Sequence, residues 1–157
     1  NDTYLQLELA LIRIRGLWNK TAAVDAALEL FQKAININVR NLDAYYYLGK
    51  TYDMMGEYEL AGERYVKIFQ LEPKSKLSAE LFAKFNSDVS KNPDDLQARY
   101  NLGQAFKFLK DESSAETHFA YIISKDPQIK NYITFMANKR IQEMKNKTLE
   151  VIYDPRL

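Results

Sequence analysis

His118 is the only imidazole in the chain, so acid–base work between paired histidines and histidine-rich metal sites are excluded. The absence of cysteine removes disulfides, thiolate nucleophiles and cysteine-ligated zinc. The acidic pairs Asp94-Asp95 and Asp111-Glu112 have the composition of a carboxylate dyad. Each stands just before an apolar-periodic stretch, however, where a carboxylate caps a helix and meets the positive end of its dipole. Capping is therefore their expected role. His118 lies beside Phe119 on such a stretch, and a surface or half-packed position without a functional role is expected for it. No phosphate-cradling glycine loop, dinucleotide fingerprint, zinc-protease motif or nucleophile elbow occurs. The expectation is a protein with no catalytic residues, no cofactor and no metal.

The elements that carry these residues belong to an ordinary folded chain. It has 157 residues, 46% hydrophobic and 27% charged, with a formal net charge of +1. That is too apolar for disorder and too neutral for a global field that draws the chain to nucleic acid or an anionic membrane. Basic residues are interleaved with acidic ones, except that Lys130, Lys139, Arg140, Lys145 and Lys147 face only Glu143 near the C-terminus. A solvated helix face accounts for that group, and neither nucleic-acid binding nor membrane anchoring is expected. The chain begins at Asn1, which reads as a fragment or processed product, so the sequence leaves the compartment open.

Periodicity decides the fold class. Leu48-Gly49 and Leu102-Gly103 are each followed, at matching distances, by an aromatic (Tyr52, Phe106), an alanine (Ala61, Ala115), a second aromatic (Tyr65, Phe119) and a proline (Pro73, Pro127). This resembles the tetratricopeptide-repeat (TPR) family, whose pattern runs W-x2-L-G-x2-Y…A-x3-F…P with a period of about 34 residues. The frames are 42–75 and 96–129, and one period earlier lies 8–41. There Trp18, Ala27, Phe31 and Ala34 fall at the matching positions, but Arg15 replaces the glycine and Val39 the proline. The resemblance implies an all-α solenoid of antiparallel helix pairs. In the second repeat helix A spans roughly 42–55 and helix B 58–71, with Gly56 at the turn, where glycine adopts a left-handed backbone cheaply. Gly49 and Ala61 are small, which lets the two helices approach.

The array is irregular. Residues 76–95 are an insertion between the second and third repeats, read as a helix over about 77–90 with Leu77, Leu81, Phe82, Phe85 and Val89 on one face. An odd helix either packs beside the stack or breaks it into two parts. After Pro127, residues 130–145 read as a capping helix with one wet face, since an array needs its open end closed. A single domain over 1–147 and an extended tail over 148–157 are expected.

The resemblance implies a non-enzymatic adaptor that binds a peptide or protein surface through helix A residues pointing away from helix B. Carried over by position, these are Ile12, Gly16 and Asn19, then Tyr46, Lys50, Asp53 and Met54, then Tyr100, Gln104, Lys107 and Phe108. Exposed aromatics and Met supply contact area and the polar groups fix register. The alternative is a structural component that assembles through its ends and convex face. Chaperone-binding members hold a C-terminal carboxylate in a clamp of Lys, Asn and Arg. Here Ile12, Gly16, Tyr47, Gln97 and Asn101 stand at those positions, so the Hsp70/Hsp90 tails are not expected partners.

Overall fold

The computed structural model describes residues 6–7, 10–11 and 21–152. Ile12, Arg15, Gly16, Trp18 and Asn19 lie outside the described residues, as do residues 153–157. Among the described residues every regular element is a helix. In chain order they are α1 (Thr21–Ile37), α2 (Leu42–Met54), α3 (Tyr58–Leu71), α4 (Lys76–Lys91), α5 (Leu96–Phe108), α6 (Glu112–Lys125) and α7 (Tyr132–Ile152). The all-α class and the helix pairs α2–α3 and α5–α6 match the repeat reading. The chain divides into two compact units, 1–79 and 80–157, with the boundary inside the inserted helix α4.

In the first unit, Asn41 begins α2 by accepting a hydrogen bond from the Ala44 N–H at 3.1 Å. The end of α2 is a closed turn. Gly56 has φ +77, its N–H bonds the Asp53 carbonyl, and the Glu57 N–H reaches back to the Tyr52 carbonyl at 2.9 Å. This pair of bonds satisfies carbonyls that a helix end otherwise leaves bare. Pro73 keeps Glu72 out of the helical region (φ −144, ψ 78) and so ends α3. Two faces of α2 are buried. Ala44, Tyr47 and Thr51 form one, and Phe31 of α1 stacks on Tyr47 with ring centroids 6.0 Å apart. Tyr45, Leu48 and Gly49 form the other, and a Cβ on Gly49 would lie 2.5 Å from the Tyr65 ring. The glycine thus makes room for the helix B aromatic. Phe31, Tyr65, Ile68 and Phe69 are almost wholly buried.

The second unit repeats this design. Asp95 caps α5 through the Ala98 N–H at 3.0 Å, and Asp111 caps α6 through the Ser114 N–H at 3.1 Å. Ala98, Asn101 and Ala105 form the first face of α5, and Gly103 again admits an aromatic ring, a Cβ there lying 2.6 Å from Phe119. Inserted α4 contributes Leu81 and Phe85, both buried, and sets Phe82 edge-on against Phe106 at 5.2 Å. Its first turn is fixed by Ser75, which accepts the Ser78 N–H at 3.1 Å, and by the Ser78 hydroxyl, which donates to the Glu72 carbonyl at 2.6 Å.

The turn after α5 closes as the turn after α2 does: the Lys110 N–H bonds the Lys107 carbonyl and the Asp111 N–H bonds the Phe106 carbonyl. Here Lys110 occupies the position of Gly56, with φ 66. A side chain in the left-handed region costs about 1–2 kcal/mol. Lys110→Gly should therefore stabilise the protein by about 1 kcal/mol, part of the relief being offset by the greater freedom of glycine in the unfolded chain. Urea denaturation followed by circular dichroism checks this. An unchanged or lower midpoint would mean that the Lys110 side chain is held by contacts worth more than the strain.

Helix α7 differs from the reading of its sequence. It runs to Ile152 rather than ending near Lys145, so residues 148–152 are helical rather than extended. No proline or glycine interrupts the stretch before Pro155, and nothing local stops the helix. Its buried residues Thr134, Ala137 and Ile141 keep the spacing of Ala98, Asn101 and Ala105 on α5. Against α6, α7 therefore takes the pose of a following helix A. The face that a helix B would cover carries Phe135, Asn138, Lys139 and Gln142, and of these Phe135, Lys139 and Gln142 are exposed.

Candidate functional site

The candidate groove residues lie in both units, and each set has its own surroundings. In the first unit Tyr46 is half-buried, leaning on Tyr47 (5.6 Å) and on Tyr65 (6.1 Å). The Lys50 ammonium sits over the Tyr46 ring at 5.2 Å, an arrangement that holds the amine near an apolar surface. Asp53 accepts a 2.7 Å hydrogen bond from the Tyr65 hydroxyl, which ties the end of helix A to the middle of helix B. Met54 is half-buried. Tyr46, Lys50 and Met54 thus form an open face of one helix, and Asp53 serves packing.

In the second unit the four groove residues need correction at two places. Tyr100 is 9% exposed and Gln104 8%, so both are interior groups rather than groove residues. The Tyr100 ring rests against Phe119 at 5.7 Å, and its hydroxyl accepts from Gln104 Nε2 at 3.1 Å and from Arg140 Nε at 3.3 Å. Burial pushes the Tyr100 phenol up from its usual value, partly offset by Arg140. The cover is α7, the helix that takes the pose of the next helix A. Lys107 and Phe108 stay partly exposed, with the Lys107 ammonium 5.4 Å from the Phe108 ring centroid.

Lys107 and Phe108 open onto a cleft of about 240 Å³, completed by Lys110, Glu112, Glu143, Met144 and Lys147. Small-molecule sites occupy roughly 300–1,000 Å³, so this cleft is of a size for side chains. Sequence reasoning assigned none of the last five to a site. One signal was present: aligning the two repeats puts Lys110 where the other copy has Gly56.

His118 belongs to a structural network. Its ring stacks on Phe106 at 5.6 Å with planes 8° apart, and its Nδ1 lies 3.3 Å from Arg99 Nη1. Arg99 only donates, so Nδ1 accepts and the ring is neutral. Arg99 also covers the Tyr121 ring at 3.5 Å, and the Tyr121 hydroxyl donates to Asp94 at 2.5 Å. Burial lowers the His118 pKa, and the Arg99 charge lowers it further. The unfolded chain therefore takes up a proton first as pH falls past about 6.5, and stability declines until the folded ring also protonates. The thermal midpoint should fall between pH 7 and 5, and His118→Phe, which keeps the stacking on Phe106, should flatten that slope. The carboxylates act in a lower window. Asp126, lowered chiefly by the N–H groups of Asn131 and Lys130, gives stability that is lost only as pH drops below about 3.9. An equal slope in wild type and His118→Phe would refute the role given to His118.

No group of acidic residues and histidine fit to hold a metal occurs among the described residues, and no described helix is long and apolar enough to cross a membrane. No curated protein matches the chain. Among solved structures, one described as "MamA RS-1 ArsTM double mutant" is similar over 94% of this chain and 97% of that chain, with 13% identity and a TM-score of 0.40. The tetratricopeptide repeat family matches residues 30–63, one period that takes in the end of α1, all of α2 and the start of α3. With Leu48, Gly49, Tyr52 and Ala61 inside that stretch and Tyr65 filling the space over Gly49, the chain carries a tetratricopeptide repeat, a scaffold for interaction between proteins.

Proposed function

We propose that the chain is a non-enzymatic adaptor that holds a segment of another protein against the open faces of its A helices. One observation carries the reading. Tyr46, Lys50 and Met54 on α2, and Lys107 and Phe108 on α5, remain partly exposed while every position that the repeat needs for its core is filled by other residues. Such residues are free to serve a partner. Binding energy at protein surfaces concentrates in a few such anchors. The Hsp70/Hsp90 tails remain outside this reading, because the side chains at the clamp positions, among them Tyr47 packed on Phe31 and Asn101 bonded to Gln97 at 2.9 Å, are uncharged.

Selection of random displayed peptides on the immobilised protein tests the proposal. Selected peptides should lose about 2 kcal/mol, on the order of 30-fold in affinity, on Met54→Ala or Phe108→Ala, with helicity unchanged. Peptides that bind both variants as well as wild type would move the site off the A helices. A second reading, assembly through an end of the array, has one observation in its favour: Tyr132 and Phe135 of α7 are each 53% exposed and stacked 6.4 Å apart. A rise in mass with concentration by light scattering, abolished by Phe135→Ser, would favour it.

A further inference from the structure

The cleft at the end of α5 is basic beyond what its own carboxylates neutralise. Glu143 is already engaged, 2.7 Å from Arg140 and 4.0 Å from Lys107. Lys110 and Lys147 have no ion-pair partner among the described residues. Three lysines therefore converge on a small cleft whose apolar lining is Phe108 and Met144. The crowding is felt within the site: burial lowers the Lys107 pKa, and the charges of Arg140, Lys147 and Lys110 lower it further, against Glu143. An arriving carboxylate would relieve that repulsion. Lys110 also stands in a left-handed turn where the other repeat has Gly56, so the charge is kept at a position where glycine would be less strained.

We infer that the partner segment is acidic, with Asp or Glu side chains set between Lys107, Lys110 and Lys147 and a neighbouring apolar side chain on Phe108 and Met144. This rests on the A-helix faces being the binding surface, and adds the chemistry of what they bind. The cleft is of a size for side chains, and its excess charge is of one sign, as charge complementarity requires. A protein segment fits better than a nucleic acid, because the apolar floor is small and two carboxylates, Glu112 and Glu143, stand among the lysines and would repel a run of phosphates.

The peptide selection separates the two ideas. Sequences enriched on wild type but not on Phe108→Ala should carry an excess of Asp and Glu next to an apolar residue. A fluorescently labelled representative should bind at least tenfold more weakly to Lys110→Gly/Lys147→Ala, and weaken as salt rises. Lys110→Gly relaxes the turn, so the loss of binding should come with an unchanged or higher melting point, which excludes misfolding as its cause. Enriched peptides that need Phe108 but show no acidic excess would overturn this inference and leave the adaptor reading intact. No enrichment over a blank surface would overturn both. Equal binding of a single-stranded oligonucleotide, lost in the same double variant, would overturn the acidic-segment assignment in favour of a polyanion site.

Discussion

Phe119→Ala should lower the stability of the second unit by about 3–5 kcal/mol, the range for removing a large aromatic from a core. The ring is wholly buried and belongs to a cluster with Tyr100, Ala115, Ile122, Ala137 and Ile141. These residues come from α5, α6 and α7, so the cluster joins all three helices. Across the helix contact the ring faces Gly103, which has no side chain to move in, and Ala115 and Ala137 have no rotamers. Gly103→Ala sharpens the test. Alone, its methyl would meet the Phe119 ring at 2.6 Å, and overpacking of this kind costs about 1–3 kcal/mol. In the Phe119→Ala background the ring is gone, and the same change should become neutral or stabilising, since alanine is favoured over glycine in a helix by about 1 kcal/mol. Urea denaturation of the two single variants and the double variant, followed by circular dichroism, measures the coupling. Additive effects would mean that the glycine is not there to admit the ring.

That pairing shows which features the sequence makes legible. Leu-Gly, Ala and aromatic at fixed spacing predict α2–α3 and α5–α6, because these positions answer to contacts within one helical hairpin. The meaning of the glycine was only partly visible. The sequence suggests close approach of two backbones, whereas Gly49 and Gly103 instead make space for Tyr65 and Phe119. Features that depend on a neighbour outside the hairpin were not legible. Nothing local to Tyr100 says that Arg140, forty residues on, will reach its hydroxyl. The phase of α7 emerges only when Thr134, Ala137 and Ile141 are seen buried, because its sequence has several apolar stripes. The inserted helix was read over 77–90 and spans Lys76–Lys91. The left-handed Lys110 was missed because lysine gives no turn signal, although its alignment with Gly56 carried one.

Tyr100→Ala should cost about 3 kcal/mol or more, whereas Tyr46→Ala should cost distinctly less, although the two tyrosines occupy the same place in their repeats. Both lean on the helix B aromatic, Tyr46 on Tyr65 at 6.1 Å and Tyr100 on Phe119 at 5.7 Å. The difference is the cover. Tyr46 is half-buried, with Lys50 over its ring, and its truncation leaves a surface dent that water can fill. Tyr100 lies beneath α7, and its truncation removes a buried ring and the acceptor for both Gln104 and Arg140. The Gln104 Oε1 is already buried without a partner, so loss of the Tyr100 hydroxyl would leave both ends of that amide unsatisfied. Tyr100→Phe separates these contributions. It keeps the ring and removes only the acceptor, with an expected cost of about 1–3 kcal/mol for stranding a buried polar group. Chemical denaturation of the three variants checks the order Tyr100→Ala, Tyr100→Phe, Tyr46→Ala from most to least destabilised. If Tyr46→Ala proved as costly as Tyr100→Ala, the open face of α2 would be core, and the binding role proposed for it would pass to Lys107 and Phe108 alone.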